Sequence, residues 1–340
     1  MRKLSPEDWF TAPEWRDYVL LDVRSPGEYA TGKLPRAASL PLFTNEERAT
    51  VGTLYKQESP DAALLSGLEI AGGKMRWLVE EARRLAPKAK VVVHCWRGGQ
   101  RSGSVAWLLE KAGFEVAQLA GGYKSARHFM RQYLSQPLHN FRVLSGPTGS
   151  GKTSILLAMR QRGAHVIDLE GLANHKGSSF GAIGEKAQPT TEAFENQLFT
   201  DLHGIPAGET VWLEDESRMI GHVYLPDEFF HRLLAAPVVV LKQPLSWRVA
   251  RLVQQYGNYP TEELVMAFTR IRKKLGGQHL KAALMALDQN DLATAARIGL
   301  VYYDKAYQHY NDRRNARITH EVIANSPHPA DIAEQCLALE

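Results

Sequence analysis

Residues 141–153 read FRVLSGPTGSGKT, and what flanks the glycines decides the fold of the chain's second half. Phe141–Ser145 is a short apolar run suited to a buried strand, and Ile155–Arg162 has the spacing of a helix. Between them Gly146, Pro147, Thr148, Gly149, Ser150, Gly151, Lys152 and Thr153 spell G-x-x-x-x-G-K-[ST]. Such a loop, joining a strand to a helix, cradles phosphate with its backbone N–H groups. Lys152 is then expected to reach the terminal oxygens of a diphosphate, and Thr153 to ligate Mg²⁺. Val166–Leu169, Thr210–Leu213 and Pro237–Leu241 read as further strands. The stretch VWLEDES puts Glu214 and Asp215 at a strand end, where an acid holds Mg²⁺ through water, so Asp215 is expected to share the ion with Thr153. A solvated acidic turn is the plainer alternative. No N-K-x-D occurs, and nothing specifies a purine pocket. Lys176–Gly184 (KGSSFGAIG) suits either a flexible lid over the phosphate loop or an ordinary surface loop.

The first half alternates strand and helix patterns as well. Tyr18–Val23 and Lys90–His94 are apolar runs of the kind buried in a parallel sheet. Lys74–Leu85 and Ser104–Lys111 have helical spacing, and Phe114–Leu119 is a further strand that stops at Gly121-Gly122. His94–Ser102 reads HCWRGGQRS and places Cys95 between a strand and a helix. Gly98 and Gly99 let the backbone fold tightly there, so its N–H groups form an anion cradle, and Arg97 and Arg101 add positive charge. The same field favours thiolate over thiol and marks Cys95 as an activated nucleophile. A lone buried cysteine is otherwise an inert core residue. That is the reading for Cys336, while His94 reads as a packing residue at a strand end.

A chain of 340 residues, 44% hydrophobic and 23% charged, has the balance of two packed domains and excludes wholesale disorder. The boundary falls in Ser135–Asn140 (SQPLHN), giving domains 1–137 and 138–340. Two cysteines make neither a disulfide framework nor a zinc cluster. No stretch of eighteen apolar residues occurs, so no membrane partner is expected. MRKLSPEDWF lacks the apolar core of a signal peptide, so a cytoplasmic setting is expected. The net charge of +4 is unevenly spread, with +5 on residues 1–137, −5 on 138–231, +8 on 232–317 and −4 on the rest. The pattern from about 245 to 317 is helical and basic. Arg248, Arg251, Arg270, Arg272, Lys273 and Lys274 are its candidate contacts to RNA phosphates, a solvated helix face being the alternative.

The stretch LDVRSPGEYATGKLPRAASLPL (21–42), the cysteine loop and LAGGY (119–123) together resemble the rhodanese family. In that family the loop cysteine carries a persulfide. Asp22, Arg24 and Glu28 match its motif and read as structural charges. Five residues separate Cys95 from Arg101, one more than in the common sulfurtransferase loop, and the longer loop also resembles those of related phosphatases. The order of the two domains, with HCWRGGQRS, GPTGSGKT, HKGSSFG and VWLEDESRMIG, resembles the bacterial tRNA 2-selenouridine synthase family across nearly the whole chain. The resemblance implies an α/β fold throughout, with a rhodanese-like domain followed by a P-loop NTPase-like domain. It also implies an enzyme, a transferase that replaces the sulfur of a modified wobble 2-thiouridine in tRNA with selenium. The selenium comes from selenophosphate, after S-geranylation from geranyl diphosphate. The implied partners are the anticodon region of tRNA and a selenophosphate-supplying enzyme; no tightly bound cofactor is expected beyond Mg²⁺. A different class stays open: a P-loop ATPase whose rhodanese domain is a partner-binding or phosphatase-like module.

Overall fold

A computed structural model describes residues 2–312 and 317–339. Two compact units, Met1–Tyr133 and Leu134–Glu340, are each built on their own parallel sheet. The first sheet comprises β1 (Arg2–Leu4), β2 (Val19–Asp22), β3 (Ala37–Ser39), β4 (Lys90–His94) and β5 (Glu115–Leu119), in the order β1-β5-β4-β2-β3. β4 lies in the middle, where Val92 pairs with Leu20 on one side and Ala117 on the other. Val91, Val92 and Val93 are wholly buried, as a strand covered on both faces requires. Leu21, Val93, Val105 and Leu109 share one core, so the helix Gln100–Lys111 is pinned to the sheet that launches it. β1 and β3 were not legible as strands. Each is three residues long and sits at a sheet edge, too short for a period to show.

The second unit has β6 (Asn140–Ser145), β7 (His165–Ile167), β8 (Thr210–Glu214), a hairpin of β9 (Met219–Ile220) and β10 (Val223–Tyr224), then β11 (Val238–Lys242) and β12 (Ile318–Ile323). Its main sheet runs β12-β11-β6-β8-β7, all parallel, again with the loop-bearing strand β6 in the centre. Leu144, Ile155, Met159, Trp212 and Leu241 form the core beneath the phosphate loop. The strand expected at Val166–Leu169 stops at Ile167, because Asp168 caps the helix Leu169–Ala173 by accepting the Gly171 N–H at 2.7 Å. Between β11 and β12 stand the helices Leu245–Tyr256, Thr261–Arg270, Arg272–Leu275, Gly277–Asp288 and Leu292–Asp312, several sharing a core of their own around Leu264, Phe268, Ile271 and Leu287. This is the helical, basic region expected over 245–317; its residues 313–316 lie outside the described residues. No described helix is long and apolar enough to cross a membrane.

Asp22 and Arg24 form an ion pair at 2.6 Å with both side chains fully buried, and the Arg24 guanidinium lies 3.8 Å over the Tyr123 ring. Arg24 also donates to the Gly32 carbonyl at 2.7 Å. Removing one member of such a pair leaves an uncompensated buried charge. Asp22→Ala should therefore lower the stability of the first unit by about 3–5 kcal/mol. The double change Asp22→Leu with Arg24→Met should cost less than that. Urea unfolding followed by tryptophan fluorescence checks both, and equal losses in the two variants would contradict the argument.

Candidate functional site

Cys95 follows β4 directly and is buried, yet its thiol is held below the ordinary range. Burial pushes the thiol up. The Ser102 hydroxyl, the Ser102 and Arg97 N–H groups and the Arg101 charge outweigh it. Sγ stands 3.2 Å from Ser102 Oγ, which accepts from Gln118 Nε2 at 2.7 Å. Gln118 fills one lone pair of the Ser102 hydroxyl, whose own proton is left for the Cys95 thiolate or for the Gly99 carbonyl at 3.2 Å. Ser102 and Gln118 are thus site residues that the sequence reading missed. Gln118 lies on β5, and no spacing in the chain links it to the cysteine loop.

The loop is closed from beneath by the glycine pair of LAGGY. Tyr123 N–H donates to the Cys95 carbonyl at 2.9 Å, and Lys124 N–H to that of Trp96 at 3.0 Å. Gly98 has a φ of 64°, and a Cβ there would come within 2.8 Å of the Leu119 carbonyl, so only glycine fits the turn. Arg101 does not point free into the cradle. It pairs with Glu28 at 2.8 Å, a carboxyl that burial pushes up but Arg101 and the Ser25 N–H bring below its ordinary range. His94 is fully buried, 3.6 Å from Asp22, and burial lowers its pKa, so it packs as a neutral ring. Cys336 sits in the core of the second unit, where burial pushes its thiol up to about 12.

The phosphate loop opens the helix Lys152–Gln161 through Gly151, at a φ of 75°. Its carbonyls are occupied from the side of β11 and the helix that follows. Arg248 Nε donates to the Thr148 carbonyl at 2.9 Å, Arg251 Nη1 to that of Gly149 at 2.6 Å, and Gln243 Nε2 to that of Ser150 at 2.9 Å. With these acceptors filled, donors are what the loop offers an anion. This corrects the expectation that Arg248 and Arg251 meet RNA. Arg248 is buried and paired with Asp304; Arg251 is half-buried and also donates to Gln243 and the Pro327 carbonyl. Arg270, Arg272, Lys273 and Lys274 are all exposed.

Lys152, Thr153, Glu170, Lys176, Asp215 and Glu216 line one cleft of about 930 Å³ with the phosphate loop. Thr153 Oγ1 donates to Glu170 at 2.8 Å, while Asp215 accepts from Ser145 at 2.6 Å. The hydroxyl's hydrogen-bond partner is therefore Glu170, an acid the sequence reading did not single out, and Asp215 lines the same cleft. Glu214 is buried and points the other way: its Oε2 accepts the N–H groups of Leu169 (2.8 Å) and Glu170 (3.3 Å), which sets Glu170 in place. Burial, with Glu170 and Asp168 nearby, raises Glu214 well above the carboxylate range. Burial and Glu170 raise Glu216 to about 8. Among the described residues no three His, Cys, Asp or Glu side chains gather as a metal cage. The 176–184 segment borders the cleft and is pinned: Lys176 pairs with Glu185 at 2.9 Å, and Phe180 packs edge-on against Phe268 at 5.0 Å.

A thiolate-favouring loop on a parallel sheet and a strand–GPTGSGKT–helix turn define a rhodanese-like domain followed by a P-loop domain. A family model described as a rhodanese-like domain matches residues 7–128, and one described as the tRNA 2-selenouridine synthase AAA domain matches 139–326. A tRNA 2-selenouridine synthase of Sulfurovum sp. (strain NBC37-1) is 36% identical over 94% of this chain and 95% of its own. One of Shewanella piezotolerans is 34% identical over 92% and 95%. One of Nitrosomonas eutropha is 38% identical, the match spanning 73% of this chain and 66% of that protein. The chain belongs to the tRNA 2-selenouridine synthase family.

The lowered Cys95 thiol predicts a pH profile. Alkylation by iodoacetamide at Cys95 in the native protein should reach half its maximal rate at lower pH than in the urea-unfolded chain, because the thiolate forms earlier. Ser102→Ala removes a donor to the thiolate, so it should move the profile to higher pH and slow the reaction several-fold at pH 7. Cys336 should stay unmodified until the chain unfolds. Peptide mass analysis of the labelled protein separates the two thiols, and an unchanged profile in Ser102→Ala would remove Ser102 from the site.

Proposed function

We propose that the chain replaces the sulfur of a wobble-position 2-thiouridine in tRNA with selenium, in two steps served by its two loops. The observation that carries this reading is the presence, in one chain, of a donor-lined phosphate cleft and a thiolate-favouring anion cradle. A thiocarbonyl sulfur is a poor leaving group until alkylated. In the first step that sulfur attacks the first carbon of geranyl diphosphate. The carbon–oxygen bond breaks, its electron pair leaves with the diphosphate, and the uridine ring gives up its N3 proton. The N–H groups of the phosphate loop and Lys152 take up the charge that develops on the diphosphate. Thr153 and Glu170 are the oxygen donors that would hold Mg²⁺ against the leaving group, which suits an ion that binds through one or two side chains and substrate phosphates.

In the second step selenium from selenophosphate takes the place of the geranylthio group at C2. The P–Se bond is cleaved by water, and the products are 2-selenouridine, geranylthiol and phosphate. The cradle of Arg97, Gly98 and Gly99 N–H groups binds the selenophosphate, and Cys95 serves as nucleophile: its thiolate adds at C2 and expels geranylthiolate, and selenium then displaces the thiolate from C2. The exposed Arg270, Arg272, Lys273 and Lys274 meet the tRNA backbone. The substrate reaches the enzyme as the anticodon region of tRNA, with selenophosphate handed over by the enzyme that makes it.

Lys152→Ala should block geranylation of 2-thiouridine tRNA and spare selenation of tRNA that already carries the geranylthio group. Cys95→Ala should abolish selenation, while Cys336→Ala should not. Nucleoside mass analysis after each half-reaction reads all three. Block of only the second step by Lys152→Ala would assign the phosphate loop to selenophosphate instead.

RNA contact has its own signature. Affinity for tRNA should fall steeply with salt as neutralised phosphates release counterions. Lys273→Glu with Lys274→Glu should lower the salt slope by about one, since neighbours on a helix splay about 100° and only one faces the RNA. A slope unchanged in a folded double variant would move the RNA site elsewhere.

A further inference from the structure

An apolar pocket opens beside the phosphate cleft, at the helices that follow β11. Leu264, Phe268, Leu287, Leu292, Ala295 and Leu300 form its inner wall. Thr148, Ser178, Leu252, Tyr256 and Tyr303 line both the pocket and the cleft, so the two spaces meet at one rim. The polar side chains of the pocket, Thr148, Ser178, Tyr256 and Tyr303, all belong to that shared rim. Phe180, from the KGSSFGAIG segment, lies against Phe268 and Tyr256 and roofs the junction.

We propose that this pocket, about 70 Å³ in volume, takes the far end of the hydrocarbon tail of the prenyl diphosphate whose head the phosphate loop holds, and that its small size limits the chain length. The inference rests on the reading of the phosphate loop given above. A ligand that spans both spaces is a diphosphate at one end and purely apolar at the other. A nucleotide does not match this, because a base entering the inner wall would leave its ring nitrogens and exocyclic groups without partners. A branched hydrocarbon chain has nothing to satisfy and gains from leaving water. Gly299 lines the pocket beside Phe268: a Cβ there would stand 3.3 Å from the Phe268 ring. Its helix, Leu292–Asp312, also contributes Ala295 and Ala296, small side chains that leave the space open.

The test compares prenyl transfer to 2-thiouridine tRNA from dimethylallyl, geranyl and farnesyl diphosphates. Gly299→Ala and Ala296→Leu shorten the pocket. Each should lower kcat/KM for geranyl diphosphate by about tenfold relative to dimethylallyl diphosphate. Leu287→Ala deepens it and should raise farnesyl relative to geranyl diphosphate. Opposite shifts in the two classes of variant cannot come from partial unfolding, and thermal melts report the fold independently. Parallel losses on all three donors in folded variants, or no change in their ratio, would overturn the pocket assignment and leave the phosphate-loop reading standing. Prenyl transfer surviving in Lys152→Ala would instead remove the reading on which the assignment rests. ATP competing with geranyl diphosphate, and losing affinity in Ala296→Leu, would give the pocket to a base and overturn the proposal.

Discussion

A strand buried on both faces sends its side chains into the layers above and below, so reactive groups have to sit where it stops. β4 and β6 are such strands, each the middle strand of a five-stranded parallel sheet. Cys95 follows the end of one and the phosphate loop the end of the other. At both ends the chain turns into a helix whose first N–H groups have no carbonyl to bind, and an anion or thiolate supplies the missing acceptor. The chemistry of the chain follows from that constraint applied twice. The price is a turn tight enough to need glycine: at Gly98 against the Leu119 carbonyl, and at Gly151 beneath the Arg251 guanidinium.

Charge is spent inward to hold these turns. In the first unit Arg101 faces Glu28, and Arg24 faces Asp22 beneath the Tyr123 ring. In the second, Arg248 and Arg251 bind the carbonyls of the phosphate loop. An arginine is suited to this, because its planar fork satisfies a carboxylate and a carbonyl at once. The net positive charge of residues 232–317 therefore overstates the surface available to a polyanion. Part of it is structural, and among the described residues Arg270, Arg272, Lys273 and Lys274 are exposed cations gathered within five positions.

The long buried strands and both loops were legible because each carries a local signature. β4 is a run of valines, and the two loops combine glycines with a reactive side chain over fewer than ten residues. β1, β3 and the helices Asn45–Gln57 and Pro60–Gly72 were not, since three-residue edges and mixed-polarity helices show no clear period. β12 escaped because it follows the basic helical tract and alternates only weakly. The rest of the site was hidden for a different reason. Gln118, Glu170 and Gln243 act through partners brought together by sheet order, which leaves no trace in sequence spacing, while Ser102 meets Cys95 across the turn of the quoted loop itself.

The acids around the phosphate loop pose an electrostatic problem that the structure answers by burial. Asp168, Glu170, Glu185, Asp215 and Glu216 line the cleft with Lys152 and Lys176, and five ionised carboxylates would repel a diphosphate. Burial, with the neighbouring carboxyls, raises Glu214 well above the ordinary carboxylate range and Glu216 to about 8, so both shifts favour the neutral form. Near neutral pH the cleft therefore carries less negative charge than its composition suggests. Glu214 braces the Leu169–Ala173 turn by accepting its first N–H groups, and Glu170 faces the Thr153 hydroxyl at the mouth of the loop. Protons on the buried acids and donors on the loop act in the same direction. Together they let a site built from carboxylates accept an anion, while Glu170 remains the carboxyl beside Thr153 that a divalent cation would meet.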